Sequence, residues 1–209
     1  MRFTRRRFVQ AAGAAAVGFS LPLKAQAGPI RLGLMTVKTG PLASGGIDME
    51  RALVMYLRER NGALAGRKIE LFVGDSGGVP AQARTKIQEL VEREHIQVMI
   101  GPLATAEALA ADDYIRQQQL LTLSVAAAED MTQRKPNPWF TRGTSTSSQC
   151  AQPLADYCYK QLRMRRMAVI ADDIPYGHEM CAVRNVVGDH CHPAHPELLV
   201  AVEIGRAHV

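Results

Sequence analysis

The sequence predicts an α/β fold, a parallel sheet flanked by helices on both faces. Short apolar runs recur along the chain from Ile30. Each is followed by a longer stretch in which charges separate apolar residues at helical spacing, and Gly, Pro, Asp and Ser gather at the junctions. Strands that alternate with helices at this spacing pair in parallel, because a chain returning through a helix re-enters the sheet in the same direction.

Taken in order, Ile30–Val37 reads as the first strand and Lys38–Gly46, with Gly40-Pro41 and Gly45-Gly46, as a loop. Ile47–Asn61 carries apolar Leu53, Tyr56 and Leu57 among charges and is predicted helical, stopped by Asn61-Gly62. Lys68–Val73 is a second strand. A helix follows from Pro80, favourable in a first turn, to Glu94. Val98–Ile100 is a buried third strand closed by Gly101-Pro102, Ala104–Gln119 a helix, and Leu120–Ser124 a fourth strand. Trp139–Arg142 is a short extended piece, Ser148–Leu162 a helix and Met167–Ala171 a strand. Right-handed crossovers bring the loops Lys38–Gly46, Ser76–Val79, Gly101–Thr105 and Val125–Thr132 to one edge, where ligands of open α/β sheets bind.

The two ends of the chain differ from this body. Thr4-Arg5-Arg6-Arg7-Phe8-Val9 precedes a weakly apolar stretch rich in Ala and Gly, then Lys24 and the small-x-small site Ala25-Gln26-Ala27. The pattern resembles a twin-arginine export signal over residues 1–27, with Arg5, Arg6 and Phe8 as its recognition residues, Val9 where Leu is usual, and cleavage at Ala25 and Ala27. The apolar run is too short to span a bilayer, which takes about 20 apolar residues. Arg2, Arg5, Arg6, Arg7 and Lys24 are five of the 25 basic residues; removing them leaves 20 basic against 20 acidic. The net charge of +5 thus belongs to the leader and implies no nucleic-acid partner. At the other end, Glu203–Val209 can be encoded by GAG ATC GGA AGA GCA CAC GTC, the start of a common short-read sequencing adapter. Residues 181–209 are accordingly expected to be foreign to the fold, a frameshift ending in adapter read-through. His190, Cys191, His192 and His195 have ligand chemistry but fall there, between prolines, and are assigned no metal. Export permits a disulfide, yet Cys150, Cys158, Cys181 and Cys191 read as small buried thiols.

Nucleotide-binding signatures are missing from the body. The first strand is followed by no Gly-x-Gly-x-x-Gly, and the sequence has no Walker A lysine. Asp112-Asp113 reads as a solvated helix face, Asp172-Asp173 as a strand end favouring a turn. The informative stretch is Gly101-Pro102-Leu103-Ala104-Thr105-Ala106-Glu107. A strand ends, Gly-Pro turns the chain, and Thr105 can cap a helix whose first amides, free and partially positive, suit a carboxylate. Ser124-Val125-Ala126-Ala127-Ala128 repeats the arrangement one strand later with small side chains that leave the backbone approachable.

The order of Ile30–Leu34, Thr39-Gly40-Pro41-Leu42-Ala43, Asn61-Gly62, Ala65–Leu71, Asp75, Pro80, Val98–Pro102, Leu121–Ser124, Trp139–Arg142, Ala168–Ile170 and Tyr176-Gly177 resembles the type I periplasmic solute-binding proteins of ABC transporters, in their leucine/isoleucine/valine receptor branch. The match runs from Ile30 to Gly177, about half of a full receptor. The resemblance implies two α/β lobes closing on a ligand: a first lobe at residues 28–143 and the start of an incomplete second lobe at 144–180. It implies ligand contacts at Ala104, Thr105 and Ala106, further contacts from the Ser124 loop at Ala126 and Ala128, and Tyr176 as a cover from the second lobe. Gly45 stands where an aromatic is frequent, Ala106 where Ser is common and Ala128 where Thr is common, which weakens the case for an amino acid as ligand. The implied function is capture of a small polar or carboxylated solute, such as an amino acid, in the periplasm for an ABC permease of the inner membrane, after passage through the export machinery. That function uses no cofactor and no catalysis. A ligand-sensing domain of a signalling or regulatory system is the alternative, and an exported hydrolase would need a nucleophile and base that the body lacks.

Overall fold

The computed structural model describes residues 28–164, 166–181 and 199–205. Its larger sheet holds six strands in the order β2-β3-β1-β4-β5-β6. These are β1 (Ile30–Thr36), β2 (Ala63–Leu64), β3 (Arg67–Asp75), β4 (Val98–Ile100), β5 (Leu121–Ser124) and β6 (Phe140–Arg142). All pair in parallel except β2, which forms a hairpin with β3 through Ala65 and Gly66, both at positive φ. The helices are α1 (Ala43–Glu59), α2 (Pro80–Glu92), α3 (Thr105–Gln118), α4 (Ser147–Asp156) and α5 (Pro175–Cys181). No helix among the described residues is long and apolar enough to cross a membrane.

The direction of the crossovers decides which face each helix covers. The chain leaves β1 toward β3 on one side, then jumps back over β1 to β4 and on to β5. Right-handed connections in opposite directions put α1 on one face and α2 with α3 on the other. The α2–α3 face holds the main core, where Met35, Ile87, Met99, Ala111 and Ile115 are fully buried, with Leu90, Ile96, Tyr114 and Leu120 beside them. Each large apolar side chain sealed there contributes about 1.5–3 kcal/mol. The α1 face carries the rows Leu71–Leu32–Val98–Leu121 and Val73–Leu34–Ile100–Leu123. Leu32 and Leu34 are buried on it, whereas Leu121, Leu123 and Val73 are exposed.

Several elements depart from the sequence reading. Helix α1 begins at Ala43, so Gly45-Gly46 lies in its first turn and not in the loop. A Cβ at Gly46 would stand 1.8 Å from the Val37 carbonyl oxygen, and the Thr36 hydroxyl donates to the Gly46 carbonyl at 2.9 Å. The glycine is therefore a contact residue that lets the helix start press on the end of β1. Residues 130–134, read as loop and its sequel, form a π-helical turn. Helix α4 starts one residue early behind a true capping box, Thr146 with Gln149 (3.1 and 2.9 Å), contains Pro153, and passes into a π-helical turn at Tyr157–Gln161. Of the cysteines read as buried, Cys181 is buried, Cys150 is exposed and Cys158 intermediate; all three are free thiols.

Beyond this sheet, β7 (Arg166–Asp172) pairs in parallel with β8 (Leu199–Gly205). Leu199–Gly205, which pairs with β7, lies within the tail expected to be foreign to the fold. The run Leu199-Val200-Ala201-Val202-Glu203-Ile204 is rich in residues that favour pleated backbone, a property of those side chains whatever the origin of the segment. Arg5, Arg6, Phe8, Ala25, Ala27 and the cluster His190, Cys191, His192 and His195 lie outside the described residues.

Candidate functional site

Strand β1 is flanked by β3 and β4, which the chain reaches in opposite directions. A crevice opens at the carboxyl ends of β1 and β4, where neighbouring connections part to opposite faces. Its walls are the loop after β1, the turn from Gly101 into α3, and the loop after β5.

Asp75, at the end of β3, organises the first wall. Its carboxylate accepts the backbone N–H groups of Lys38 (2.8 Å) and Gly77 (2.9 Å) and the Thr39 hydroxyl (3.3 Å). The Lys38 amide in particular holds the Asp75 carboxyl below its ordinary value, against the opposing effect of burial.

The turn into α3 is tighter. Gly101 has φ 101°, and a Cβ there would lie 1.9 Å from the Met35 carbonyl oxygen, so only glycine fits between β4 and β1. Sequence reasoning placed Thr105 as the helix cap. The structure corrects this: Ala104 is the N-cap residue, in extended backbone, and Thr105 is the first helical residue, 5% exposed. Alanine offers no cap oxygen, and the work passes to Glu107. Its carboxylate, fully buried, accepts the Ala104 N–H at 3.1 Å and the Ser76 hydroxyl. Ser76 also accepts the Gly78 N–H at 3.2 Å, so one buried carboxylate ties the loop after β3 to the start of α3. The first amides of α3, from Thr105 and Ala106, have no acceptor within the helix and lie at its positive end.

The loop after β5 has its acceptors occupied. Ser124 donates to the Pro102 carbonyl (2.6 Å) and accepts the Ala126 N–H (3.0 Å), which locks this loop to the α3 turn. Arg142 donates to the carbonyls of Ala128 (2.7 Å) and Ala126 (3.4 Å) and to the Thr132 hydroxyl. Ser147 N–H reaches the Ala127 carbonyl at 3.4 Å. The carbonyls of Ala126, Ala127 and Ala128 are thus all engaged by donors, so none of them is left to repel an anion at this strand end. Burial pulls Arg142 below its ordinary value while Glu129 and Glu179 push it back. Burial also pushes Glu129 up, but hydrogen bonds from Ser148 and Thr146 and the Arg142 charge outweigh it, and the carboxyl ends below its usual range.

The structure thus brings Ala104, Thr105, Ala106, Ser124, Ala126 and Ala128 together at two adjacent strand ends. Their roles differ from side-chain expectation. Ala126 and Ala128 are 1% and 0% exposed and pack with Ala108, Met131 and Phe140, so these positions offer backbone alone. Ser124, also buried, orients the loops. Tyr176 stands 41% exposed in the first turn of α5, the helix whose Glu179 reaches the loop after β5. Sequence reasoning missed Glu107, Ser76, Arg142 and Glu179; only Glu107 carried a local signal, its place three residues after a helix start. A separate groove of 540 Å³ runs between β3 and α2, lined by Phe72, Val73, Leu90 and Arg93 and edged by the Lys86–Glu89 ion pair (2.8 Å). It follows the outer edge of the sheet.

Comparison with known proteins places this geometry. Residues 29–187 match the family model of the periplasmic binding proteins. The chain is 28% identical over 167 residues to the Leu/Ile/Val-binding protein homolog 3 of Brucella melitensis, covering 78% of this chain and 44% of the relative. An ABC transporter substrate-binding protein from Sphaerobacter thermophilus superposes with a TM-score of 0.74 at 30% identity, over 87% of this chain and 48% of that one. A solute binding protein of an ABC transporter from Rhodopseudomonas palustris, in complex with 3,4-dihydroxy benzoic acid, superposes at 0.73 and 23% identity, over 85% and 47%. The chain spans less than half the length of each of these relatives.

Proposed function

The chain belongs to the periplasmic binding protein family, and on that premise we propose that it is the ligand-gripping first lobe, with the start of the second, of a periplasmic receptor that delivers a small carboxylated solute to an ABC importer. Residues 28–143 form the first lobe and 144–180 open the second; ligand capture between them, with no chemical step, is the activity. The observation that carries the reading is the pair of donor-rich loops at adjacent strand ends, the first amides of α3 and the amides of Ala127 and Ala128, fixed by Ser124, Glu107 and Arg142. The two kinds of ligand named for the relatives, branched-chain amino acids and a dihydroxybenzoic acid, share a carboxylate. The carboxylate is placed at Thr105 and Ala106, backbone amides carrying more of the binding than hydroxyls, with Tyr176 covering it in the closed state. Transport is favoured over sensing by the transporter assignments of the relatives.

Substitution at Thr105 tests the placement. Thr105→Ala should weaken carboxylate binding by about 1–2 kcal/mol, and Thr105→Pro by more, since proline removes the amide. Calorimetric titration with L-leucine and 3,4-dihydroxybenzoate measures it, and unchanged affinity in both variants places the anion elsewhere. Export is proposed to follow the twin-arginine route with cleavage after Ala27. Replacing Arg5 and Arg6 together by lysine should then hold the precursor in the cytoplasm, as fractionation and N-terminal sequencing will show.

A further inference from the structure

We propose that Glu179 is a latch between the two sheets that regulates the anion-facing loop, an inference that rests on the receptor reading above. Glu179 lies on α5, directly after β7, and so moves with the smaller sheet. Its carboxylate nevertheless reaches the larger sheet's side of the molecule. There it accepts the Glu129 N–H at 3.2 and 3.4 Å and the Arg134 guanidinium at 3.0 Å, while from α4, on its own lobe, it accepts the Ser147 hydroxyl at 2.8 Å. Arg134 is held in turn by Asp130 at 2.5 Å, and the Glu179 side chain is 11% exposed. A carboxylate so withdrawn from water, with a guanidinium and two neutral donors converging on it, makes a stronger tie than an exposed ion pair.

The position of the tie gives it a regulatory consequence. Glu129 follows Ala128 directly, and Arg142, which grips the carbonyls of Ala126 and Ala128, feels the Glu179 charge. Glu129 also accepts from the Ser148 N–H (2.8 Å) and hydroxyl. The loop that offers amides to a ligand is thus continuous with the loop that holds the second sheet. While the latch is engaged, α5 and its Tyr176 stay beside that loop without ligand, which raises the resting population of the approached state. A ligand that shifts Ala127 and Ala128 acts on the latch through one peptide bond, and opening the latch acts on ligand affinity by the same coupling.

Amide hydrogen exchange by NMR on the 209-residue chain tests the latch, with wild type, Glu179→Ala, Glu179→Gln and Arg134→Met. The Glu129 amide should be protected in wild type and exchange about tenfold faster in Glu179→Ala, with β1 and β4 amides unchanged. Glu179→Gln, which keeps an acceptor oxygen, and Arg134→Met should show smaller rises. An unprotected Glu129 amide in wild type, or equal exchange in Glu179→Ala, overturns the latch. Titration with L-leucine and 3,4-dihydroxybenzoate then tests regulation: the affinity of whichever probe binds should change about threefold in Glu179→Ala. Unchanged affinity with lost protection reduces Glu179 to a structural tie and overturns the regulatory role. If neither probe binds wild type, the receptor reading fails and takes the regulatory role with it, while amide exchange still decides the contact.

Discussion

On one face of the six-stranded sheet, Met99 of β4 and Thr122 of β5 are sealed beneath α2 and α3 at 0% exposure; on the other, Leu121 and Leu123 of the same β5 stand 49% and 44% exposed. Both faces are apolar, and the registers set their rows side by side with equal regularity. The difference lies in cover. Two helices lie over the first face, whereas α1 shields only the region of β1 on the second, where Leu32 and Leu34 are buried. A doubly wound sheet whose strands are apolar on both sides is built to be covered on both. The strip on β5 is therefore apolar surface that α1 leaves uncovered. The candidate site sits at the carboxyl end of the same strands.

The largest effects that can break this comparison come from matched truncations on the two faces. Met99→Ala should cost about 2–5 kcal/mol in denaturant unfolding, Leu123→Ala only about 0.5–1, because a half-exposed side chain leaves no cavity behind it. Equal costs would mean the second face is covered in solution, by self-association or otherwise. Glu107→Ala should follow, at about 1–3 kcal/mol, since it takes the acceptor from the part-buried Ala104 N–H and leaves the buried Ser76 hydroxyl only the Thr36 carbonyl. It should also weaken carboxylate binding, which titration beside an unfolding curve separates from stability. Leu121→Lys with Leu123→Lys should leave unfolding nearly unaltered while reducing association and apolar-dye binding, read by light scattering and fluorescence.

The smallest expected effect is pH dependence. Glu129 has a folded pKa below its unfolded value of 4.5, so its contribution is fully present above about 4.5 and is lost as pH falls through the lower folded value. Unfolding curves at successive pH values below 4.5 should therefore show a loss of stability that Glu129→Gln diminishes. An equal loss in Glu129→Gln would assign the effect to other carboxylates, Asp75 first, whose pKa is lowered in the same sense.

What was legible in the sequence follows the range of the interactions. Strands β1, β4 and β5 and helices α2 and α3 announced themselves through local periodicity, and the Gly101-Pro102 turn through residues that allow little else there. Gly45-Gly46 reads locally as a loop. It joins α1 only because Gly46 accepts close contact with Val37, nine residues earlier in the chain, a packing fact that local turn chemistry does not carry. The cap shifted from Thr105 to Ala104 for a similar reason: Glu107 and Ser76, 31 residues apart, replace a side-chain cap. Arg142 and Glu179 act on the loop after β5 from 14 and 50 residues away. Ala126 and Ala128, read as ligand positions, the second where threonine is common, are core residues on their side-chain side, which leaves only their backbone open to a ligand.

The most direct test of the central claim, a carboxylate held by backbone amides at two adjacent strand ends, is a nitrogen-15 amide titration of the 209-residue chain with 3,4-dihydroxybenzoate and L-leucine. The account predicts weak binding of at least one of them, with the largest shifts at Thr105, Ala106, Ala127 and Ala128 and little change along the groove of Phe72, Leu90 and Arg93. Shifts concentrated in that groove, or none at the α3 start when binding is seen elsewhere, would contradict it.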